Sequence, residues 1–314
     1  MKSIKHYCSV IRRRLIRSVL AKKKLSYFLS KHCLKIYLAI FYENWTGKKM
    51  NYKAPEDLNQ SLIKLSWINS RDEKMRELIP LCVDKYRVRE YISSKGYADT
   101  LNELYGVYDN VDDIDFEALP NQFVMKMNNA SGRNFICTNK ANCDWNMVKL
   151  HFSKWLKDTD FGWQTGEWQY ALIKPQIVIE QFLEDLGSFS LVDYKAQVIN
   201  GKVMDFFVCY NRNNEIIDDG SFSVSYDAYT TDWQRTDDIQ TDWHVNRKFI
   251  PFPVQLQRMI EMAEDCCNGI PYCRFDMYEI NGKIVFGEMT FTPHGNVLSF
   301  YTNDYLQRMN RLFI

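Results

Sequence analysis

Two Asn-Gly dipeptides constrain this chain more than any other feature. Asn200-Gly201 separates residues 194–199 from 203–209, and Asn281-Gly282 separates 273–280 from 283–288. Asn-Gly suits both left-handed positions of a type I′ turn, whose twist matches that of the flanking strands. The flanking runs are rich in Val, Ile, Phe and Tyr, so each pair reads as a β-hairpin. A third hairpin runs from 123–127 through the small-residue loop 128–134 to 135–137, and 176–182 reads as a buried strand. Helical spacing marks 144–155, with Asp144 as N-cap, and 254–267, with Leu256, Ile260 and Ala263 on one face. Residues 51–120 read as mostly helical, with Pro55 and Pro80 as breaks and a charged helix over 84–94 that ends at Gly96. Residues 211–250 read as acidic, aromatic and irregular. Antiparallel hairpins interleaved with helices predict an α+β fold.

A length of 314 residues suggests two domains or one two-lobed unit. The hydrophobic fraction of 46% and charged fraction of 25% exclude disorder, collagen and coiled coil. The net charge of +1 hides a strong asymmetry: residues 1–50 hold 13 Lys and Arg against one acid, Glu43. Ile4, Ile11, Leu15, Val19 and Leu20 recur at helical spacing among Arg12, Arg13, Arg14 and Arg17, with Lys22, Lys23 and Lys24 beyond. This pattern predicts a basic amphipathic helix, and a second over 25–41. Such a head suits an anionic membrane surface; docking on the acidic remainder or on another protein is the alternative. Nucleic acid is not expected, because no reading motif accompanies the basic stretch. The longest apolar run, 33–42, is half the span a membrane requires and contains Lys35. The lysines at 22–24 interrupt any secretory h-region. The nine cysteines include no C-x-x-C and read as reduced thiols of a cytosolic protein.

Four constellations carry candidate chemistry. Lys126 precedes the loop Asn128-Asn129-Ala130-Ser131-Gly132-Arg133-Asn134. A strand lysine and a small-residue loop suit a phosphate, although an ordinary hairpin turn favours the same residues. Asp276 and Glu288 stand about five residues from their Asn-Gly turn on opposite strands, with Arg274 and Thr290 two residues further out. Cross-strand carboxylates suit Mg²⁺ and polyphosphate oxygens; a solvated ion-paired face is the alternative. The apolar alternates Phe275, Met277, Val285 and Phe286 point to a core on the other face. The stretch after Ile177 could offer backbone groups to an adenine edge and Glu184 or Asp185 to a ribose, or be a plain buried strand. Lys195 and Arg212 flank the first Asn-Gly hairpin and suit a phosphoryl or carboxylate clamp, or are surface bases. His294 follows the carboxylate strand and reads equally as a substrate contact or a structural loop residue. The five histidines include no H-x-x-x-H pair, and no G-x-S-x-G elbow occurs.

The order of these blocks resembles the ATP-grasp superfamily, and their wording resembles its teichuronopeptide-biosynthesis (TupA-like) branch, found in bacterial polysaccharide clusters. The match lies in Asp84-Lys85-Tyr86-x-Val88-Arg89-Glu90-Tyr91, Leu119-Pro120-x-x-Phe123-Val124-x-Lys126, Asn128 to Asn134, Ile179-Glu180, Asp193-Tyr194-Lys195, Asn200-Gly201-Lys202, Arg274-Phe275-Asp276-x-Tyr278 and Gly287-Glu288-x-Thr290-Phe291-Thr292-Pro293-His294-Gly295. It covers about residues 45–310. The resemblance implies a two-lobed ATP-grasp fold behind a basic helical extension. It implies an extension over 1–50, a helical region over 51–120, a small lobe over 121–182 and a large lobe over 183–314. It implies ATP held by Lys126, Ser131, Gly132, Glu180, Gln181, Phe182 and Glu184. It implies Mg²⁺ on Asp276, Glu288 and Thr290, and catalytic roles for Lys195, Arg212 and Arg274. The reaction it implies activates a carboxylate as an acyl phosphate for attack by an amine.

Three departures bear on substrate contacts. The loop lacks a His-Gly pair, Thr290 stands where the superfamily carries Asn, and His294-Gly295-Asn296 replaces a double glycine. The expected protein is a cytosolic ligase joining an amine or amino acid to a uronic-acid-type carboxylate in capsule or O-antigen synthesis. Residues 1–50 would hold it at the inner membrane or beside a glycosyltransferase. A glycan kinase and a non-enzymatic nucleotide-binding scaffold are the alternatives; intact Lys126, Asp276 and Glu288 argue against the scaffold.

Overall fold

The computed structural model describes residues 12, 16–184, 191–210, 224–240, 250 and 252–313. Both Asn-Gly hairpins form as the turn chemistry requires. Asn200 and Gly201 have φ of 50° and 76°, and Asn281 and Gly282 of 52° and 71°. They join β5 (Asp193–Ile199) to β6 (Lys202–Tyr210) and β9 (Tyr272–Ile280) to β10 (Lys283–Thr290). β5 pairs antiparallel with β9, so the hairpins fuse into a six-stranded sheet of order β10-β9-β5-β6-β7-β8. Its outer strands, β7 (Ser225–Tyr229) and β8 (Arg235–Thr236), fall in the stretch expected to be irregular. Here pairing of β7 with β6, and of β8 with β7, overrides weak local propensity.

The smaller sheet has order β1-β4-β2-β3, all antiparallel. β2 (Phe123–Met127), β3 (Asn134–Cys137) and β4 (Ile177–Gln181) lie where the sequence puts them. β1 (Leu104–Tyr108) does not, because its segment reads as part of a helical stretch. Two other local expectations fail for identifiable reasons. The helix expected over 84–94 is only Val88–Ser94, because the Asp84 carboxylate accepts from the backbone N–H groups of Tyr86 and Arg87 and holds a turn there. Pro80 does not break its helix, Glu73–Val83; it sits in the last turn, and the helix ends three residues beyond it.

Period-2 alternation divides the large sheet into two faces. Tyr194, Ala196, Val198, Phe206, Val208, Phe275, Met277 and Phe286 pack on Leu256, Met259, Met262 and Ala263 of the helix Leu256–Cys266. Each fully buried Val, Leu, Met or Phe side chain of that set contributes about 1.5–3 kcal/mol. Val285 lies opposite Tyr278 on the other face and is only partly buried, contrary to the expected core role. That other face is covered at one end by the helices Leu58–Asn69 and Asn303–Asn310, through Leu58, Leu62, Tyr305, Leu306 and Met309. Its remaining end lines a cavity that opens toward the small sheet.

The helix expected over 25–41 is two helices, α1 (Lys23–His32) and α2 (Leu34–Thr46), broken at Cys33, whose φ and ψ are −136° and 46°. α2 buries Tyr37, Leu38 and Tyr42 against Ile63 and Val297, so it packs into the body. Ile4, Ile11, Leu15 and most of the first expected helix lie outside the described residues. Among the described residues no helix is long and apolar enough to cross a membrane.

Candidate active site

The site begins with a one-residue irregularity. Phe286 pairs with Met277, but the next pair is Glu288 with Asp276, which leaves Gly287 as a bulge. Without the bulge Glu288 would stand opposite Phe275 and point into the core. The bulge turns it onto the Asp276 face instead. Gly287 is required there, because an added Cβ would meet the Asp276 carbonyl oxygen at 2.8 Å.

Two cations crowd the carboxylates. Arg274 grips Asp276 bidentately, Nε to Oδ1 and Nη2 to Oδ2, both at 2.7 Å. Its Nη2 also reaches Glu288 Oε1 at 3.1 Å. Lys195 Nζ donates to Asp276 Oδ2 at 2.5 Å and lies 3.5 Å from Asp193 Oδ2. Thr290 Oγ1 accepts from Arg274 and donates to Glu288 Oε1, each at 3.2 Å. The Asp276 side chain is 2% exposed and that of Glu288 44%, so Asp276 lies beneath the cations while Glu288 reaches the cavity. Burial alone would raise the Glu288 carboxyl, but Arg274, Lys85 and Lys195 outweigh it and push it down to about 2. Burial also opposes the charge on Lys195, and Asp193 and Asp276 reverse that and raise it.

This donor set fits Mg²⁺. Both side chains offer hard oxygens from adjacent strands, and Asp276 Oδ1 accepts only one hydrogen bond and Glu288 Oε2 none among the described residues. One or two carboxylates completed by substrate phosphates is the usual Mg²⁺ arrangement. Among the described residues no group of three or more His, Cys, Asp and Glu forms an all-protein metal site.

The cavity measures about 790 Å³ and lies between the two sheets. The sequence-derived residues converge on it: Lys126, Ser131, Gly132, Glu180, Gln181, Phe182 and Glu184 from one side, and Lys195, Arg274, Asp276 and Glu288 from the other. Thr290 supports them one hydrogen bond away. Arg212 and Asp185 lie outside the described residues. His294 also lines the cavity, and burial, reinforced by Arg274 and Lys195, pushes its imidazole down to about 4.

The two expected nucleotide residues on facing strands pair with each other. Lys126 Nζ donates to Glu180 Oε2 at 2.6 Å, so Glu180 orients the lysine. Arg133 of the loop is tied to Asp158 at 2.5 Å and stacks on Phe161 at 4.5 Å. Asn128 anchors the loop: its side chain donates to Asp84 Oδ2 and Lys174 O and accepts from Gln176 N.

Sequence reasoning gave no role to Lys85, Arg89 and Asn102, which also line the cavity. Lys85 Nζ donates to Ala130 O at 2.7 Å, which puts a second lysine under the loop beside Lys126. Burial lowers its pKa. Arg89 donates to Asn102 and approaches Glu180 at 3.8 Å. The available signal was the run Asp84-Lys85-Tyr86, in which Asp84 both forms the turn and holds Asn128.

No curated protein matches this chain. Among solved structures it is similar to a D-alanine–D-alanine ligase from Bacillus anthracis complexed with ATP (14% identity, 74% of this chain and 60% of that one, TM-score 0.41). It is also similar to an L-amino acid ligase from Bacillus licheniformis (14% identity, 84% and 56%, TM-score 0.47). A third likeness is to a D-cycloserine synthetase (13% identity, 86% of each chain, TM-score 0.43). The chain thus spans about 60% of the length of the first of these ligases. The assignment itself comes from a family model, TupA-like ATPgrasp, that matches residues 63–311. The chain belongs to the TupA-like ATP-grasp family.

Proposed function

We propose that this protein is an ATP- and Mg²⁺-dependent carboxylate–amine ligase that attaches an amino acid or amine to a uronic-acid-type carboxylate of a capsule or O-antigen precursor. The observation that carries the reading is the bulge at Gly287, which aligns Glu288 with Asp276 in a cavity that also holds Lys85, Lys126, Lys195 and Arg274. When bound, ATP with Mg²⁺ supplies the phosphoryl group that turns a carboxylate into an acyl phosphate. Asp276, Glu288 and Thr290 would hold the metal ions. Lys126, oriented by Glu180, and Lys85 would bind phosphate oxygens beneath the loop that carries Ser131 and Gly132. Gln181, Phe182 and Glu184 would line the base and ribose. Lys195 and Arg274 would neutralise charge that develops in transfer, as positioned cations do in a site shielded from water. His294, held neutral, can accept a hydrogen bond from the attacking amine at its edge of the cavity. The test is ATP turnover with paired uronic acids and amino acids, read by mass spectrometry. An amide with ADP supports the ligase. A phosphosugar would make the protein a kinase, and nucleotide binding without turnover would make it a scaffold.

A second observation concerns location. Lys22, Lys23, Lys24 and Lys31 are exposed along α1, and Leu25 and Phe28 are exposed beside them. We propose that this surface rests on the anionic inner leaflet. Because α2 is part of the core, truncation is a poor test. The triple substitution Lys22→Ala, Lys23→Ala and Lys24→Ala should weaken binding to phosphatidylserine vesicles about 100-fold at low salt, at about 1 kcal/mol per lysine. Binding by the unaltered protein should fade toward 1 M salt, where the Debye length is about 3 Å. Salt-insensitive binding, or none, would leave a protein partner as the reading.

A further inference from the structure

Cys137 and Cys143 stand outside the chemistry above, in the small-sheet region. Cys137 ends β3, one residue before Thr138 at the cavity wall, and Cys143 precedes Asp144, the N-cap of the helix Trp145–Leu156. Both thiols are free, and their Sγ atoms lie 3.4 Å apart. A disulfide requires about 2.05 Å, so closure needs an approach of about 1.3 Å.

The contact is built from both sides. Cys137 is fully buried and its Sγ meets Asn121 O at 3.5 Å. Cys143 Sγ meets Asn139 O at 3.2 Å. Between them Asn139 caps a short turn through Ala141 N. Lys140 Nζ then donates to three carbonyls, Phe116 O at 3.0 Å and Glu117 O and Leu119 O at 2.8 Å. The turn is pinned, so the two sulfurs stay facing each other.

Access differs between the two thiols. Cys143 is half-buried, as is the distant Cys33, whereas Cys137, Cys82, Cys209, Cys266, Cys267 and Cys273 are buried. Burial, aided by the neighbouring sulfur, pushes the Cys137 thiol up to about 12, so Cys143 is the member that an oxidant engages.

We propose that Cys137 and Cys143 form a reversible dithiol–disulfide site beside the nucleotide cavity, closed by a peroxide-class oxidant. The Cys143 thiolate attacks hydrogen peroxide and becomes a sulfenic acid, releasing hydroxide. The Cys137 sulfur then attacks the Cys143 sulfur, and its proton leaves with the sulfenic oxygen as water. Two thiols are oxidised, one peroxide is reduced to two waters, and one S–S bond forms. The bond closes a short loop and so restricts the unfolded chain.

The test treats the full-length protein with hydrogen peroxide, blocks remaining thiols by alkylation, and maps peptides by mass spectrometry. The expected product is a Cys137–Cys143 cross-link, two hydrogens lighter, that dithiothreitol reverses. The thermal midpoint should rise by about 5 °C on oxidation and return on reduction. Cys143→Ser, at the half-buried position, should keep the fold and lose both the cross-link and the shift. Sulfinic acid at Cys143 with no cross-link, or cross-links to other cysteines, would overturn the proposal. So would a shift that persists in Cys143→Ser.

Discussion

Two places on one face of the large sheet treat a buried carboxylate in opposite ways. Asp276 accepts from Arg274 and Lys195, and its neighbour Glu288 is driven down to about 2. One register row away, Asp205 lies opposite Gln197, which in turn lies opposite Arg274. Among the described residues no cation is hydrogen-bonded to Asp205, and Arg308 acts on it only at a distance. Tyr305 OH donates to Oδ2 at 2.7 Å, and Oδ1 has no hydrogen-bond partner among the described residues. Burial, with Asp238 adding to it, pushes Asp205 up to about 7. The contrast teaches that neighbouring groups as well as depth set the charge state here. The covered end, beneath the C-terminal helix, holds an acid raised toward neutral pH within a tyrosine cluster. At the open end Glu288 is partly exposed and faces Arg274, Lys85 and Lys195, which hold it low.

The comparison can be broken first at the open end. Asp276→Asn or Glu288→Gln should lower turnover by at least about 10³ while circular dichroism stays unchanged, since either removes charge needed for metal-assisted transfer. Near-normal ADP release by either variant would remove the metal assignment. Gly287→Ala tests the alignment itself. Its Cβ cannot sit 2.8 Å from the Asp276 carbonyl, so β10 must shift. Turnover should fall about 10²-fold, with about 1–3 kcal/mol of stability lost in urea titrations. If Gly287→Ala is fully active, the bulge is not what aligns the pair.

Lys126→Ala should weaken ATP binding by about 10- to 150-fold, the worth of a charge-assisted hydrogen bond of about 1.5–3 kcal/mol. Calorimetry that finds unchanged affinity would make the Lys126–Glu180 pair structural. The smallest effect belongs to the covered end. Folded Asp205 keeps its proton to about pH 7, whereas an unfolded aspartate releases it near 3.9. The folded state therefore binds more protons between those values, and this contribution to stability is lost as pH rises. From pH 5 to pH 8 the stability of the unaltered protein relative to Asp205→Asn should fall by about 2 kcal/mol. A pH-independent difference would mean that Asp205 is charged in the fold.

Much of this was legible in the sequence because it depends on local chemistry. Asn-Gly fixed both hairpins, and alternation put Arg274 with Asp276 on one strand and Glu288 with Thr290 on the other; the bulge brings the two pairs to one face. Even the bulge left a trace: Asp276 stands five residues before Asn281 and Glu288 six after Gly282, and the odd residue is a glycine. What sequence reasoning missed depends on pairing between distant segments. Lys85 reaches the loop only because Asp84 ties to Asn128, 44 positions along. β1 is a strand because β4 offers it an edge. The Lys126–Glu180 pair follows from a register, Val124 opposite Glu180, that no short window contains.

Asp276 is crowded by charge of both signs. Asp193, Asp276 and Glu288 bring three formal negative charges, and Lys195 and Arg274 return two of them. The cluster therefore carries resident counter-ions and behaves as an ion exchanger. A bare divalent ion must compete with two tethered cations for the same oxygens. Under the function proposed above, a polyphosphate arriving with its metal would offer those cations new partners, so the exchange would favour the two together over the bare ion.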